Sequence, residues 1–148
     1  MKYLVMCIGN RDGGDDAIGP YMADKLKTFE NKDLGVIDCD IVPENYTSIA
    51  KKYKPDKLII IDATKMGLNP GEMRIVPKEK IGSMHVSTHG IPLSVLMTYL
   101  ETYIKEIILV GIEPGSFSGK ISSSVKKSGN KLIEIIKNKK LEEIETLQ

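Results

Sequence analysis

The sequence predicts an α/β fold, a three-layer α/β/α sandwich around a mixed, mostly parallel sheet. Apolar runs rich in β-branched residues, above all Lys57–Thr64, have the composition of strands buried on both faces of a parallel sheet. Stretches with apolar residues at helical spacing alternate with such runs, as layered α/β folds require. The link through the turn signal Asn69-Pro70-Gly71 is too short for the crossover of about a dozen residues that joins parallel strands, so one strand should return antiparallel.

Tyr3–Ile8 opens as a buried strand and runs into Gly9-Asn10-Arg11-Asp12-Gly13-Gly14-Asp15-Asp16, a glycine-rich turn ending in two carboxylates. Ile18, Tyr21, Met22, Leu26 and Phe29 then recur at helical spacing. Pro20 fits there, because first-turn N–H groups have no intrahelical partner. Residues 35–39 form a second strand, and Pro43-Glu44-Asn45 opens a helix with Tyr46, Ile49, Ala50 and Tyr53 on one face. Pro55 stops that helix. Lys57–Thr64 is the central strand, with Asp62 near its end, and Glu72–Pro77 is the strand reached without a helix. Lys78–Gly90 reads as a long polar loop carrying His85 and His89. Leu93, Leu96, Met97, Leu100, Tyr103 and Ile104 mark the next helix, and Glu106–Ile112 the last strand. A loop rich in Ser and Gly, Ser116–Ser124, leads to a final helix through Val125, Leu132, Ile133 and Ile136. The charged stretch Lys137–Gln148 reads as a frayed or solvated helix end. The 148 residues are expected to form one domain with its core at residues 3–136.

Composition narrows the function classes. A net charge of +1 with no basic block gives nucleic-acid binding no electrostatic support, and the absence of Trp argues against a base-stacking surface. Met1–Ile8 is too short for a signal h-region, and no apolar run approaches the roughly 20 residues that span a bilayer. A soluble, cytoplasmic monomer is expected. Cys7 and Cys39 each fall in a strand and outside any C-x-x-C pair, so both read as small buried apolar residues rather than a disulfide or metal site.

Chemistry concentrates where strands end. In open α/β sheets ligands bind at the carboxyl edge of the strands, and Asp16, Asp38 and Asp62 all head there. Asp15 or Asp16 could simply cap the helix that follows. Asp62 ends a fully apolar strand, where a charge must be paired or coordinate a metal. The glycine-rich turn is not a phosphate loop, since it lacks Gly-Lys-Ser/Thr and its carboxylates would repel an anion. His85 and His89 have helical zinc-pair spacing, but no Glu follows His85 and Gly90 and Pro92 break the helix. His89 precedes a helix N-terminus, which favours the neutral imidazole that ligates metal. Asp16, Asp38, Asp62 and His89 together suit a hard-to-borderline divalent cation with open positions for substrate. A phosphoacceptor receiver domain fits less well, because Glu113-Pro114 ends the last strand where a receiver offers Lys.

The motifs, in order, are Cys7-Ile8-Gly9-Asn10, Gly14-Asp15-Asp16 with Gly19-Pro20, Pro43-Glu44-Asn45 and Ile61-Asp62-Ala63-Thr64. They continue through Met66-Gly67-Leu68-Asn69-Pro70-Gly71-Glu72, Ser87-Thr88-His89 with Pro92-Leu93, and Gly111-Ile112-Glu113-Pro114. With them the chain resembles the hydrogenase maturation endopeptidases, most closely the type serving the formate-hydrogenlyase-linked [NiFe] hydrogenase. The resemblance implies a twisted, mixed, five-stranded sheet between helices. It also implies an endopeptidase that removes a C-terminal extension from the nickel-loaded large-subunit precursor. The family's metal-binding positions match Asp16, Asp62 and His89, which would engage nickel carried by that substrate, with other divalent metals able to substitute. Asp38 is expected to join them in catalysis, by an aspartic-type or metal-assisted course. Many members carry Asp-Gly-Gly where this chain has Asp38-Cys39-Asp40, so the glycines proposed to help select the substrate are absent. That departure is the one feature favouring the alternative, a nickel-dependent binding module or chaperone for the large subunit that does not cut it.

Overall fold

The computed structural model describes residues 1–84 and 91–148. Five strands, β1 (Tyr3–Cys7), β2 (Leu34–Asp38), β3 (Lys57–Ala63), β4 (Met73–Val76) and β5 (Glu106–Ile112), form one sheet in the order β2-β1-β3-β5-β4. β1 pairs in parallel with β2 and β3, and β3 with β5, while β4 alone runs antiparallel, against β5. The short link after β3 therefore does reverse the chain. It carries β4 past the position beside β3, which β5 fills in parallel across seven paired residues, Lys57 to Ala63.

Helices cover both faces. α1 (Ile18–Leu26) and α5 (Ser123–Lys137) lie on one, and α2 (Thr47–Tyr53), α3 (Lys78–Met84) and α4 (Leu93–Glu101) on the other. Alternation along the strands divides the core: Val5, Cys7, Ile59 and Ile61 pack with α1 and α5, and Leu4, Met6, Leu58 and Ile60 with the opposite layer. Each fully buried Leu or Ile stabilises by about 1.5–3 kcal/mol. Ile18, Met22 and Leu26 are sealed beneath α1, as their spacing predicts. Its last turn tightens to a 3₁₀ turn, Lys27–Phe29, and Phe29 ends up exposed.

The structure corrects three readings. Lys78–Met84 is helical rather than loop, because Ile81 supplies an apolar anchor that is completely buried against the α4 layer. Ile49 and Tyr103, placed on buried faces by spacing, are exposed, since α2 and α4 are short and meet the sheet through Ala50, Leu96 and Leu100. The stretch Lys137–Gln148 is not a frayed end. Leu141 and Ile144 are buried, the Ile75 N–H donates to the Glu145 carbonyl at 2.9 Å, and the Leu147 N–H donates to the Ile75 carbonyl at 2.9 Å. The tail thus lies in parallel along the outer side of β4.

Candidate active site

Register brings the predicted carboxylates to one edge. Cys7, the last residue of β1, stands opposite Asp38 on one side and Ile61 on the other, so Asp62 lies one residue beyond, next to the end of β1. Asp62 is buried. Asp16 arrives from a 3₁₀ turn, Gly14–Ala17, that folds back against β3. This return needs glycine at position 9, where a Cβ would stand 2.0 Å from the Asp16 carbonyl oxygen. Asp16 is half-buried, and its Oδ2 accepts the Asn10 N–H at 2.9 Å.

Asp38 is joined to Arg11 at 2.6 Å, and the same guanidinium forks onto Asp24 at 2.8 and 2.9 Å. Arg11 therefore spans α1 and the end of β2, and the two carboxylates push its pKa up. Arg11 lowers that of Asp24 in turn. Cys7 and Cys39 are free and buried, as expected. Burial first, then the nearness of Cys39 and of the Asp38 carboxylate, push the Cys7 thiol well above its ordinary range. Cys39 is raised by burial and Asp38. Both thiols stay protonated at neutral pH, the form that suits a small apolar role.

Two further buried acids are fasteners. Asp15 is wholly buried and accepts the N–H groups of Gly115 (2.7 Å), Ser116 (3.1 Å) and Ser122 (2.7 Å), with the Ser122 hydroxyl at 2.9 Å. Burial alone would raise its pKa; the donors of Ser122, Gly115 and Ser116 outweigh it and hold the carboxyl below its ordinary value. Asp15 ties the loop after β1 to the loop after β5. Glu113 does the same for the loop after β3: its Oε1 accepts the N–H groups of Met66 (2.7 Å) and Leu68 (3.1 Å). The reasoning that singled out Asp62, an acid closing an apolar strand, applies equally to Glu113, whose partners are backbone amides rather than a metal. Sequence reasoning missed both fasteners; for Asp15 the signal available was the Ser/Gly-rich composition of the loop that supplies its donors, and for Glu113, held by the N–H groups of Met66 and Leu68, there was none. It also left open whether Asp15 or Asp16 caps the helix; neither side chain caps α1 or the turn before it.

His89 and His85, with Ser87 and Thr88, lie outside the described residues. Among the described residues no three His, Cys, Asp or Glu side chains gather as a metal site requires. Also among them, no helix is long and apolar enough to cross a membrane.

The chain is similar to known proteins over most of its length. Residues 20–139 match the family model described as hydrogenase maturation protease. The Hydrogenase 3 maturation protease of Escherichia coli K12 is 40% identical over 115 residues, covering 77% of this chain and 74% of its own. A crystal structure of the Hydrogenase 3 maturation protease superposes with a TM-score of 0.92 at 31% identity, over 100% of this chain and 97% of the other. The [NiFe] hydrogenase maturation protease HycI from Thermococcus kodakarensis KOD1 does so at 0.83 and 32%, over 93% and 90%. With a fold that superposes on these structures over nearly all of its length, and a family match that spans most of it, the chain belongs to the hydrogenase maturation proteases.

Proposed function

We propose that this endopeptidase removes the C-terminal extension from the large-subunit precursor of a [NiFe] hydrogenase after nickel has been inserted. The delivery of Asp16 and Asp62 to one sheet edge, in a chain of this family, carries the reading. In it, substrate-borne nickel docks on Asp16 and Asp62, with His89 as the third ligand. Two carboxylates and one imidazole suit a borderline divalent ion and leave positions open for the precursor's own ligands. Other divalent ions of similar preference can take nickel's place. Docking holds the scissile peptide at the edge, and such positioning supplies much of a rate. A water is activated by the metal or by a carboxylate acting as base, and Asp38, steadied by Arg11, lies at the same edge to take part. The protein works as a cytoplasmic monomer.

Nickel-loaded and nickel-free precursor are incubated with the protein, and the products weighed by mass spectrometry. Loss of a C-terminal peptide from the loaded form alone is the expected result. Cleavage of both forms equally would remove the nickel requirement, and no cleavage of a verified loaded precursor would leave a binding protein in place of a protease. His89→Ala should slow processing by about 10²-fold or more while the far-ultraviolet circular dichroism is unchanged. Undiminished cleavage by that folded variant would sink the docking scheme.

A further inference from the structure

We propose that Phe117 grips the substrate polypeptide close to the cleavage point, its ring held in place by Lys65; the inference rests on the site described above. Phe117 is 47% exposed on a loop made mainly of Ser and Gly, whose other apolar residue, Ile121, packs against the core, so a large apolar side chain stands out of a polar segment. That loop is rigidly placed. Asp15 holds it at Gly115, Ser116 and Ser122, and the Ser116 carbonyl accepts the Asp15 N–H at 2.8 Å. The Lys65 ammonium lies 5.3 Å from the centre of the Phe117 ring.

Both partners lie beside the candidate carboxylates. Ser118 N and the Ser116 carbonyl oxygen stand 2.6 and 2.7 Å from where a Cβ on Gly14 would be, and Gly14 opens the short turn that carries Asp16. Gly14 also has a φ of +60°, so the approach and the backbone both call for glycine. Lys65 follows Asp62 by three positions, within about 11 Å along an extended chain. The ring is thus bracketed by the two segments that present Asp16 and Asp62. Its chemistry suits an extended polypeptide with an apolar side chain near the cleaved bond, which packs on the ring while Lys65 stays charged and solvated behind it.

Phe29 is a built-in control. It is 41% exposed and has the Lys137 ammonium 3.8 Å from its ring centre, but it precedes β2 and so belongs to the opposite sheet edge. In the cleavage assay Phe117→Ala should raise KM roughly tenfold, with kcat within about twofold. Phe117→Leu should recover most of the loss, Lys65→Met should raise KM about two- to fivefold, and Phe29→Ala should change neither constant. Binding of nickel-loaded precursor is measured in parallel on the parent protein and on Phe117→Ala, by rapid mixing before cleavage. A tenfold weaker Kd in Phe117→Ala supports the grip even if the parent protein cuts nothing, an outcome that would fell the protease reading alone. Equal Kd values, or an equal effect of Phe29→Ala, would overturn the proposal.

Discussion

Asp62→Asn is expected to abolish processing by about 10³-fold, roughly 4 kcal/mol in activation free energy, while the protein stays folded. The side chain is buried at the end of a strand paired on both sides, and the amide has the same shape, so the sheet has little reason to change. What changes is charge. A neutral amide is a poor ligand for a divalent ion, and it cannot act as a base. The measurement is single-turnover cleavage of nickel-loaded precursor, beside a thermal melt. A variant that melts like its parent and still cuts within tenfold of it would remove Asp62 from the mechanism. A variant that does not fold would show that Asp62, like Glu113, fastens structure.

Asp15→Ala should have the largest effect on stability, costing roughly 3–5 kcal/mol. It strips the partner from three backbone N–H groups in a partly buried site and lets the loop after β5 come away from the turn carrying Asp16. Urea unfolding at neutral pH reads the loss as a lower midpoint. The pH dependence has a definite sign. The native Asp15 carboxyl has a depressed pKa, so its contribution is complete above the unfolded value of about 4 and declines as pH falls through the lower native value. The gap between parent and variant should therefore narrow under acid. A gap that held constant down to pH 2 would mean the ionised form contributes nothing (roughly two units below the unfolded value).

The parts of the fold legible in the sequence are those fixed by continuous patterns. β3 and β5 read as apolar runs, and Ile18, Met22 and Leu26, or Val125, Leu132 and Ile136, read as helical stripes, because burial of a whole face leaves a period behind. Elements held by a few residues were not legible. Among the described residues Ile81 anchors α3, and Leu141, Ile144 and Leu147 dock the tail, too few to form a period. Ile49 shows the converse: a seven-residue helix has so little face to bury that spacing cannot say which residues turn inward. At the site, strand ends located Asp38 and Asp62, but burial alone could not mark Glu113 as a fastener, because its donors come from a distant loop. What the Asp38-Cys39-Asp40 departure does to the backbone is legible only in three dimensions. Asp40 has a φ of +52°, a conformation that glycine takes freely and Asp tolerates better than most residues, and its carbonyl accepts the Gly9 N–H at 2.9 Å. The turn thus keeps a glycine-like backbone without glycine.

The tail laid along β4 has a consequence for how the protein behaves in a concentrated solution. β4 is an outermost strand, and an uncovered edge offers a row of N–H and C=O groups to any neighbouring chain. Glu145 and Leu147 satisfy the Ile75 groups that would otherwise be on offer. A chain ending at Lys140 is expected to self-associate at concentrations where the full chain sediments as a single species, since it loses that cover together with the burial of Leu141 and Ile144. Sedimentation velocity across a concentration series would show it, and a shortened chain that sediments as the full one does would assign the tail to stability alone.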